Sequence, residues 1–218
     1  VDGKNYQAKK VVITLSLGVL QQEESVKGAV AFSPRIPDHM AAVRSMGFGH
    51  VIKILLEFSE PFWKELAMDN PNTSKQEMGF LFSEGVIPTW WTQHPQKTAM
   101  LTGWLAGPNA TKYTGLADED ILRLAVQTLA NIFRVNEKIL KSKITAWQVA
   151  NWAVNPFARG AYAYATLENV KARDILGRPV ENTIFFAGEA LYEGPEMGTV
   201  EAALASGVQV ATKIVSGN

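Results

Sequence analysis

Alternating apolar residues mark the clearest strand of the chain. Residues 50–58 read HVIKILLEF, so every second residue from Ile52 to Phe58 is apolar and Lys53 lies on the opposite face. Shorter apolar runs follow at the spacing of hairpins, and together they predict a mostly antiparallel sheet over residues 50–106. These runs are Met78–Ser83, Thr89–Gln93 and Met100–Ala106.

Helical periodicity is strongest in Asp118–Leu140. Acidic residues open this segment and lysines lie near its end, which matches the dipole of a helix. One apolar stripe predicts its buried face, made of Ile121, Leu124, Ala125, Thr128, Leu129, Ile132 and Phe133. The other predicted elements are strands at Val11–Leu15, Ile144–Trp152 and Thr183–Ala187 and helices at Asp38–Ser45 and Thr199–Val215.

The C-terminal strand, loop and helix read IFFAGEALYEGPEMGTVEAALASG over residues 184–207. Glu189 follows directly after an apolar strand, and ligands of open α/β sheets bind at the carboxyl ends of strands. Thr199 begins a slim helix rich in small residues, whose first N–H groups suit an electron-rich ligand. By chemistry alone, a solvated helix end with an ordinary surface acid explains the same pattern.

Composition narrows the classes of partner. The chain of 218 residues carries 21 basic and 21 acidic residues, and this balance argues against a nucleic-acid partner. It has no cysteine, which excludes disulfides, thiolate zinc sites and cysteine nucleophiles. No apolar run is long enough to span a bilayer, which favours a soluble, cytoplasmic protein over a membrane protein. The histidines, His39, His50 and His94, are isolated and give no metal-ligand spacing or triad.

Several segments together resemble the flavin-containing amine oxidases, which include monoamine oxidases, polyamine oxidases and flavin-dependent histone demethylases. IFFAGEA followed by GTVEAALASG is similar to the C-terminal FAD-binding segment of that family. VVITLSLGVLQ is similar to its VIVTLPLGVL, and NWAVNPFARGAYAY to its W…DPFSRGAYSY. MGFGHVIKILLEFSEPFW is similar to the segment that carries its flavin-proximal lysine. The segments occur in the family's order and cover almost the whole chain.

The resemblance implies an α/β (α+β) fold, with a partial FAD-binding domain and a mixed-sheet substrate domain. It also implies the function of a C-terminal part of an FAD-dependent oxidoreductase that acts on CH–NH groups. Such an enzyme oxidises the C–N bond of a small-molecule amine to an imine and reduces its flavin. The implied domains are an FAD-binding segment at 1–33, a substrate-binding domain at 34–150, a bridging segment at 151–179 and a C-terminal FAD-binding segment at 180–218.

The resemblance assigns catalytic roles to two positions. Lys53 matches the lysine that approaches the flavin N5 atom through a water, and Tyr162 matches one wall of the aromatic substrate cage. Trp152 matches a tryptophan beside the flavin ring. Without the resemblance, Lys53 could simply face water, and both aromatic residues could be core side chains with a wet polar tip.

Further positions match cofactor-binding residues. Glu189 matches the acid that contacts the ribityl and phosphate part of FAD. Thr199 and Val200 match a helix start whose backbone meets the pyrimidine edge of the isoalloxazine. Thr14 and Leu15 lie where the family's second FAD segment passes the cofactor.

The sequence also departs from the family pattern. Ser16 stands at a usual proline and Ala203 at a frequent glycine. No second cage aromatic is found near Pro195, although Tyr192 is close in sequence. The G-x-G-x-x-G motif of a Rossmann unit is absent from the sequence. We therefore expect the chain to hold the flavin-side half of a composite site and to lack the N-terminal FAD-binding half. FAD then belongs to the complete protein, the isolated chain is inactive, and apolar surface is left exposed or covered by self-association.

Two alternatives stay open at this point. The first is an amino-acid oxidase or a desaturase of the same superfamily, in which an arginine such as Arg44, Arg159 or Arg178 would clamp a carboxylate. The second is a non-catalytic fragment or interaction module that does not bind FAD alone. Bound flavin would discriminate between an enzyme and such a module.

Overall fold

The computed structural model describes residues 3–64 and 78–217, which divide into two compact units. Unit 1 combines Val1–Gly49 with Asn155–Asn218, and unit 2 is His50–Val154. The strands are β1 Val11–Ile13, β2 Gly47–Phe48, β3 Val51–Phe58, β4 Phe80–Phe82, β5 Thr89–Thr92, β6 Met100–Ala106, β7 Ile144–Asn151, β8 Ala163–Tyr164 and β9 Ile184–Phe186. The helices are α1 Leu17–Leu20, α2 Pro37–Ser45, α3 Gly107–Thr111, α4 Asp118–Phe133, α5 Glu137–Ser142, α6 Asn169–Leu176 and α7 Val200–Ser216, with 3-10 turns at Phe62–Lys64 and Glu189–Leu191.

Unit 1 is built around a parallel strand pair. β1 pairs with β9 so that Ile13 lies opposite Phe186, and the two strands end at the same edge. A second, antiparallel pair joins β2 to β8. Helices α1, α2 and α6 share one apolar cluster with β9, whereas α7 contacts a smaller cluster through Val210. Unit 1 therefore presents the carboxyl ends of two parallel strands, as the sequence predicted for Glu189.

Unit 2 is a five-stranded antiparallel sheet covered on one face by helix α4. The strand order is β4-β5-β6-β3-β7, so the predicted antiparallel sheet is confirmed. Ile52, Ile54 and Leu56 are fully buried on one face, and Lys53 is half-buried on the other. The core brings these residues together with the apolar face of α4, including Ile121 and Leu129.

Two local predictions need correction. The predicted helix Asp118–Leu140 is two helices, because Arg134 adopts a left-handed conformation with φ of 53° and ends α4. The side chain of Asn136 then accepts a hydrogen bond from the Lys138 N–H and caps α5. The region after residue 155 also contains strand β8 and helix α6, neither of which the sequence pattern predicted.

The boundaries at 33, 150 and 179 divide the chain by expected cofactor and substrate binding, and they stay a prediction. The compact units divide at different places, after Gly49 and after Val154. Residues 34–49 and 155–179 therefore pack within unit 1. Helix α2 accounts for the first difference, because its Ala42 and Val43 pack against α6 and the β9 region.

Candidate functional site

A cavity of about 230 Å³ opens in unit 1 where β1 and β9 end. Thr14 and Leu15 follow β1, and Gly188 and Glu189 follow β9, so the structure brings these predicted residues together. Its other lining residues are mainly apolar, and they include Phe48, Phe186 and Ala203. A small apolar cleft with one acid at the carboxyl ends of parallel strands is the position at which α/β folds bind ligands.

Glu189 is the best-defined polar group of this cavity. Its Oε1 atom accepts a hydrogen bond of 3.2 Å from the backbone N–H of Ala163 in β8. The backbone N–H of Gly198 lies near this carboxyl and favours its charged form. The Oε2 atom is buried and has no partner among the described residues. A buried acceptor without a donor is costly, so this oxygen is suited to a donor supplied from outside the chain.

Burial raises the pKa of the Glu189 carboxyl above its ordinary value, and the N–H groups of Ala163 and Gly198 partly oppose the rise. Desolvation penalises the charged form, whereas the two donors favour it. The net direction is toward easier protonation. The carboxyl can therefore accept a hydrogen bond when ionised and donate one when protonated.

The backbone around Glu189 is held in an unusual conformation. Gly188 has φ of 150°, in which a side chain would be strained, and a Cβ there would point into open space. Its N–H donates to the hydroxyl of Ser206, 3.1 Å away and buried inside α7. Ser206 thus fixes the turn that carries Glu189. The sequence suggested only that Ser206 was small, and its role as an acceptor needed the three-dimensional contact.

Thr199 begins α7, as the sequence predicted for the helix start. Its hydroxyl accepts from the Ala202 N–H at 3.1 Å and donates to the Glu196 carbonyl at 2.7 Å. Thr199 and Val200 do not line the cavity, whereas Ala203, one turn further along α7, does. The predicted contact of Thr199 and Val200 with a cofactor stays a prediction.

Tyr162 lies on the segment between Gly160 and β8. The Tyr162 carbonyl accepts a hydrogen bond from the Gly49 N–H at 2.9 Å. Tyr162 also lies beside Gly198, because a Cβ added to Gly198 would lie 3.5 Å from the Cβ of Tyr162. Tyr192 lies elsewhere in the unit, with its ring folded over Gly194. A hydrogen bond to the Glu196 carboxylate, together with the negative charge of that group, raises the pKa of Tyr192.

Lys53 and Trp152 belong to unit 2, where they lie close to each other on the sheet. Lys53 is paired with Ala150 of β7 and with Trp104 of β6. Trp152 follows β7, is partly exposed, and donates its backbone N–H to the Val51 carbonyl at 3.2 Å. Their predicted roles beside a flavin stay predictions.

Ser16 and Arg159 are polar residues whose contacts the sequence did not reveal. The Ser16 hydroxyl donates to the Ala158 carbonyl at 2.7 Å and caps α1. Arg159 adopts φ of 59° and donates to the Lys27 carbonyl at 3.2 Å. Its Nε atom is buried and has no partner within the described parts of the chain. Together they fasten the segment that leads to Tyr162 onto the N-terminal part of unit 1.

The arginines give little support to a carboxylate clamp. Arg178 is exposed and ion-paired with Asp174, and Arg44 is exposed on α2. Arg159 is committed to the Lys27 carbonyl. None of the three lines the cavity at Glu189.

Comparison with known proteins decides the family. The sequence model of the family described as flavin containing amine oxidoreductase matches residues 1–215. The chain belongs to this family. A solved structure of putrescine oxidase, redesigned in its cofactor binding, superposes with a TM-score of 0.75 at 17% identity, over 97% of this chain and 43% of that one. This likeness confirms the fold class expected from the sequence.

Two curated relatives illustrate the range of the family. Human lysine-specific histone demethylase 2 is 31% identical over 99% of this chain and 25% of its own length. Human peroxisomal N(1)-acetyl-spermine/spermidine oxidase is 28% identical over 99% of this chain and 44% of its own length. The chain therefore spans less than half of either relative.

A flavin of this family can be tested against the cavity at Glu189. The volume is below the range of about 300–1,000 Å³ that is typical for a complete ligand, so it suits only a part of FAD. The unpartnered Oε2 atom of Glu189 fits a hydroxyl donor, such as those on a ribityl chain. The residues of unit 1 thus fit a polyhydroxyl segment of the cofactor.

Two features are absent from residues 3–64 and 78–217. No helix in these ranges combines the length and the apolar character that a membrane crossing needs. The same ranges hold no cluster of three or more histidine, aspartate or glutamate side chains that could ligate a metal ion.

Proposed function

We propose that this chain is the C-terminal part of an FAD-dependent amine oxidase that oxidises an amine C–N bond to an imine. Membership of the flavin-containing amine oxidoreductase family supports this proposal. The observation that carries it is the buried, unpartnered oxygen of Glu189 in a cavity at the ends of two parallel strands. The substrate is a small-molecule amine, and the missing cofactor-binding surface comes from an N-terminal half.

In this proposal FAD supplies the chemistry by accepting the hydride equivalent from the amine. Glu189 accepts a hydrogen bond from a hydroxyl of the ribityl and phosphate part, and Thr14 and Leu15 pass beside it. Thr199 and Val200 begin α7, and the N–H groups of a first helical turn favour an electron-rich edge. These residues bind and orient the cofactor.

The proposed catalytic residues are Lys53 and Tyr162. Lys53 orients a water molecule close to the flavin N5 atom, while Tyr162 aligns the amine against its ring face. Trp152 packs beside the flavin ring. An amine reacts in its neutral form, and apolar aromatic surroundings disfavour the ammonium form, so the surroundings lower the amine pKa.

Flavin titration tests the cofactor proposal directly. The purified chain is titrated with FAD and with riboflavin, and the flavin fluorescence and the absorbance retained after dialysis are measured. We expect both ligands to bind weakly and with similar affinity, because the cavity at Glu189 suits a segment that they share and the N-terminal half supplies the remaining contacts. A chain that binds neither flavin would contradict cofactor binding by this part of the protein.

A matched pair of variants sharpens the titration. Glu189→Gln removes the acceptor that lacks a partner and is expected to weaken flavin binding about tenfold, as loss of a charged hydrogen bond does. Glu201→Gln removes an exposed acid in the first turn of α7 and should leave binding unchanged. Equal losses in both variants would show that net charge, and not Glu189, controls the affinity.

One observation favours an interaction module as the second candidate. Helix α7 exposes a stripe of large apolar residues that lie about one turn apart, Val200, Leu204 and Val208. Val11 and Val12 of β1 add to the exposed apolar surface of unit 1. Light scattering over a range of concentrations tests whether this surface drives self-association. Leu204→Ser should then restore a monomer, and a wild-type monomer at every concentration would exclude it.

A further inference from the structure

Methionine is the only sulfur-containing residue type in this chain, which has six methionines and no cysteine. Among the described residues, Met46 and Met78 are buried, whereas Met40, Met100 and Met197 are half-buried. A small oxidant reaches a sulfur atom more easily when its side chain is partly exposed. The three half-buried methionines are therefore the described positions at which sulfur oxidation can occur in the folded chain.

Met197 differs from the other described methionines because its sulfur receives a hydrogen bond. The Nδ2 group of Asn169, the first residue of α6, donates to the Met197 Sδ atom at 3.8 Å. The Oδ1 atom of Asn169 accepts from the N–H of Thr166 at 3.1 Å and from its hydroxyl at 2.8 Å. These two donors fix the orientation of the amide, so that its NH₂ group faces the sulfur.

This arrangement gives a buried donor only a weak acceptor. Asn169 is 2% exposed, and its amide carries two N–H donors. Within residues 3–64 and 78–217, the Met197 sulfur is the only acceptor that they contact. A thioether accepts hydrogen bonds weakly, and a buried donor without a good acceptor lowers stability. The surroundings of the Met197 sulfur thus favour a stronger acceptor at the same place.

Oxidation by hydrogen peroxide would create that acceptor. The thioether sulfur attacks one peroxide oxygen, an S–O bond forms, and the O–O bond breaks. Sulfur loses two electrons, and the second oxygen leaves with both hydrogens as water. The resulting sulfoxide is polar and can be reduced again by methionine sulfoxide reductases. Because Sδ and Nδ2 are 3.8 Å apart, a sulfoxide oxygen that faces the amide can lie at the usual N–H···O distance of about 2.9 Å.

Met197 belongs to the loop that joins the turn at Glu189–Leu191 to α7. The next residue is Gly198, whose N–H lies near the Glu189 carboxyl. A Cβ at Gly198 would lie 3.5 Å from the Cβ of Tyr162. The sulfur therefore lies on the loop that contacts the residues proposed to hold the flavin and the amine. Dioxygen that takes two electrons from a reduced flavin becomes hydrogen peroxide, so an oxidase would produce this oxidant nearby.

We propose that Met197 is a site of reversible oxidation by hydrogen peroxide, at which the Asn169 amide donates to the sulfoxide oxygen. The site goes beyond the proposed function, because any source of peroxide suffices. Only a local origin of the peroxide rests on the proposed function. Met46 and Met78, by contrast, lie in apolar clusters, where a sulfoxide disrupts packing.

Peptide mapping by mass spectrometry tests the site on the full chain after exposure to hydrogen peroxide. We expect one added oxygen at Met197 while circular dichroism shows that the chain is still folded. A methionine sulfoxide reductase should then remove this oxygen. If Met197 stays reduced while Met40 and Met100 are oxidised, the proposal is overturned. The added peroxide replaces any product of a flavin, so the result does not depend on flavin binding.

The role of the amide is tested by Asn169→Asp, which keeps an acceptor for Thr166 and removes the NH₂ donor. Oxidation of Met197 should lower the melting temperature by less than about 2 °C in wild type. In Asn169→Asp it should lower it by about 5 °C, because the sulfoxide then lacks its donor. Met197→Leu in each background, treated in the same way, subtracts the effect of the other methionines. Equal shifts in the two backgrounds would overturn the role of Asn169.

A measurement on wild type replaces this comparison if Asn169→Asp does not fold. The side-chain amide resonances of Asn169 in a ¹H–¹⁵N spectrum should move downfield on oxidation, as expected for a stronger hydrogen bond, and return after reductase treatment. Asn109 is exposed, and its resonances should not move. Unmoved Asn169 resonances in a chain oxidised at Met197 would contradict the donation. A failure of flavin binding would leave all of these results unchanged, so the two proposals can fail separately.

Discussion

The two units differ in how completely they bury their own strands. In unit 2, β3 lies between β6 and β7, and the apolar face of the sheet is covered by α4. In unit 1, β1 and β9 pair only with each other, and Val11 and Val12 of β1 remain exposed among the described residues. Helix α7 likewise buries small residues and exposes large ones such as Leu204.

This difference indicates which unit depends on further contacts. Parallel strands are normally covered on both faces, and two strands alone are marginally stable in water. Unit 2 should therefore be stable by itself, whereas the strand pair and α7 of unit 1 should gain stability from whatever covers them. Each prediction below would break or sharpen this contrast.

The largest expected difference is between two leucines on helices. Leu129→Ala in α4 removes a side chain that is fully buried in unit 2, and it should cost about 2–5 kcal/mol of unfolding free energy. Leu204→Ala in α7 removes a side chain that is 66% exposed, and it should cost less than about 0.5 kcal/mol. Urea denaturation measures both. A comparable loss for Leu204→Ala would mean that α7 is covered in solution.

The next largest contrast is between two Gly→Ala substitutions, which should change the unfolding free energy in opposite directions. A Cβ at Gly103 would lie 2.7 Å from the ring of Trp90, so Gly103→Ala should destabilise unit 2 by about 1–3 kcal/mol. A Cβ at Gly207 in α7 would meet nothing within 4 Å, so Gly207→Ala should stabilise the helix by about 0.5–1 kcal/mol. Thermal unfolding of both variants gives the signs. Destabilisation by Gly207→Ala would indicate a partner packed against α7.

The ends of two helices provide a smaller test. Thr199→Ala removes the hydroxyl that caps α7 and should cost about 1 kcal/mol. Ala117 is the N-cap residue before α4 and gives the helix no side-chain hydrogen bond, so Ala117→Ser should increase stability by up to about 1 kcal/mol. Hydrogen exchange of the first turn of each helix reports the change locally. An unchanged exchange rate after Thr199→Ala would show that other contacts fix the start of α7.

The contrast also explains what the sequence could predict. The strand β3 and the antiparallel sheet were predictable because one buried face imposes a strict alternation on residues such as Ile52 and Ile54. The end of α4 at Arg134 was not, because a left-handed arginine carries no sequence signal of the kind that glycine gives. Helix α6 was missed because only a few of its positions, such as Ala172 and Leu176, are buried.

The candidate site shows the same limit. The family resemblance placed Thr14, Leu15 and Glu189 beside one cofactor, and the parallel pairing of β1 with β9 explains why they meet at one edge. The hydroxyl of Ser206 and the N–H of Ala163 could not be predicted as partners around Glu189. They approach from segments distant in sequence, and their position depends on the packing of α7 and β8.

The smallest effect concerns the Glu189 carboxyl. Burial raises its pKa in the folded chain, so the folded state holds the proton more tightly than the unfolded state does. Its contribution to stability is therefore full below the ordinary carboxyl pKa and is lost as the pH rises through the raised value. Since glutamine does not titrate, the melting temperature of Glu189→Gln minus that of wild type should increase from pH 4 to pH 7, by less than about 2 °C.

Glu201→Gln in the same unit is the control, and it measures the effect of losing one exposed charge. A difference that decreases over this range would mean that the carboxylate is stabilised in the folded chain and that its unpartnered oxygen has a donor.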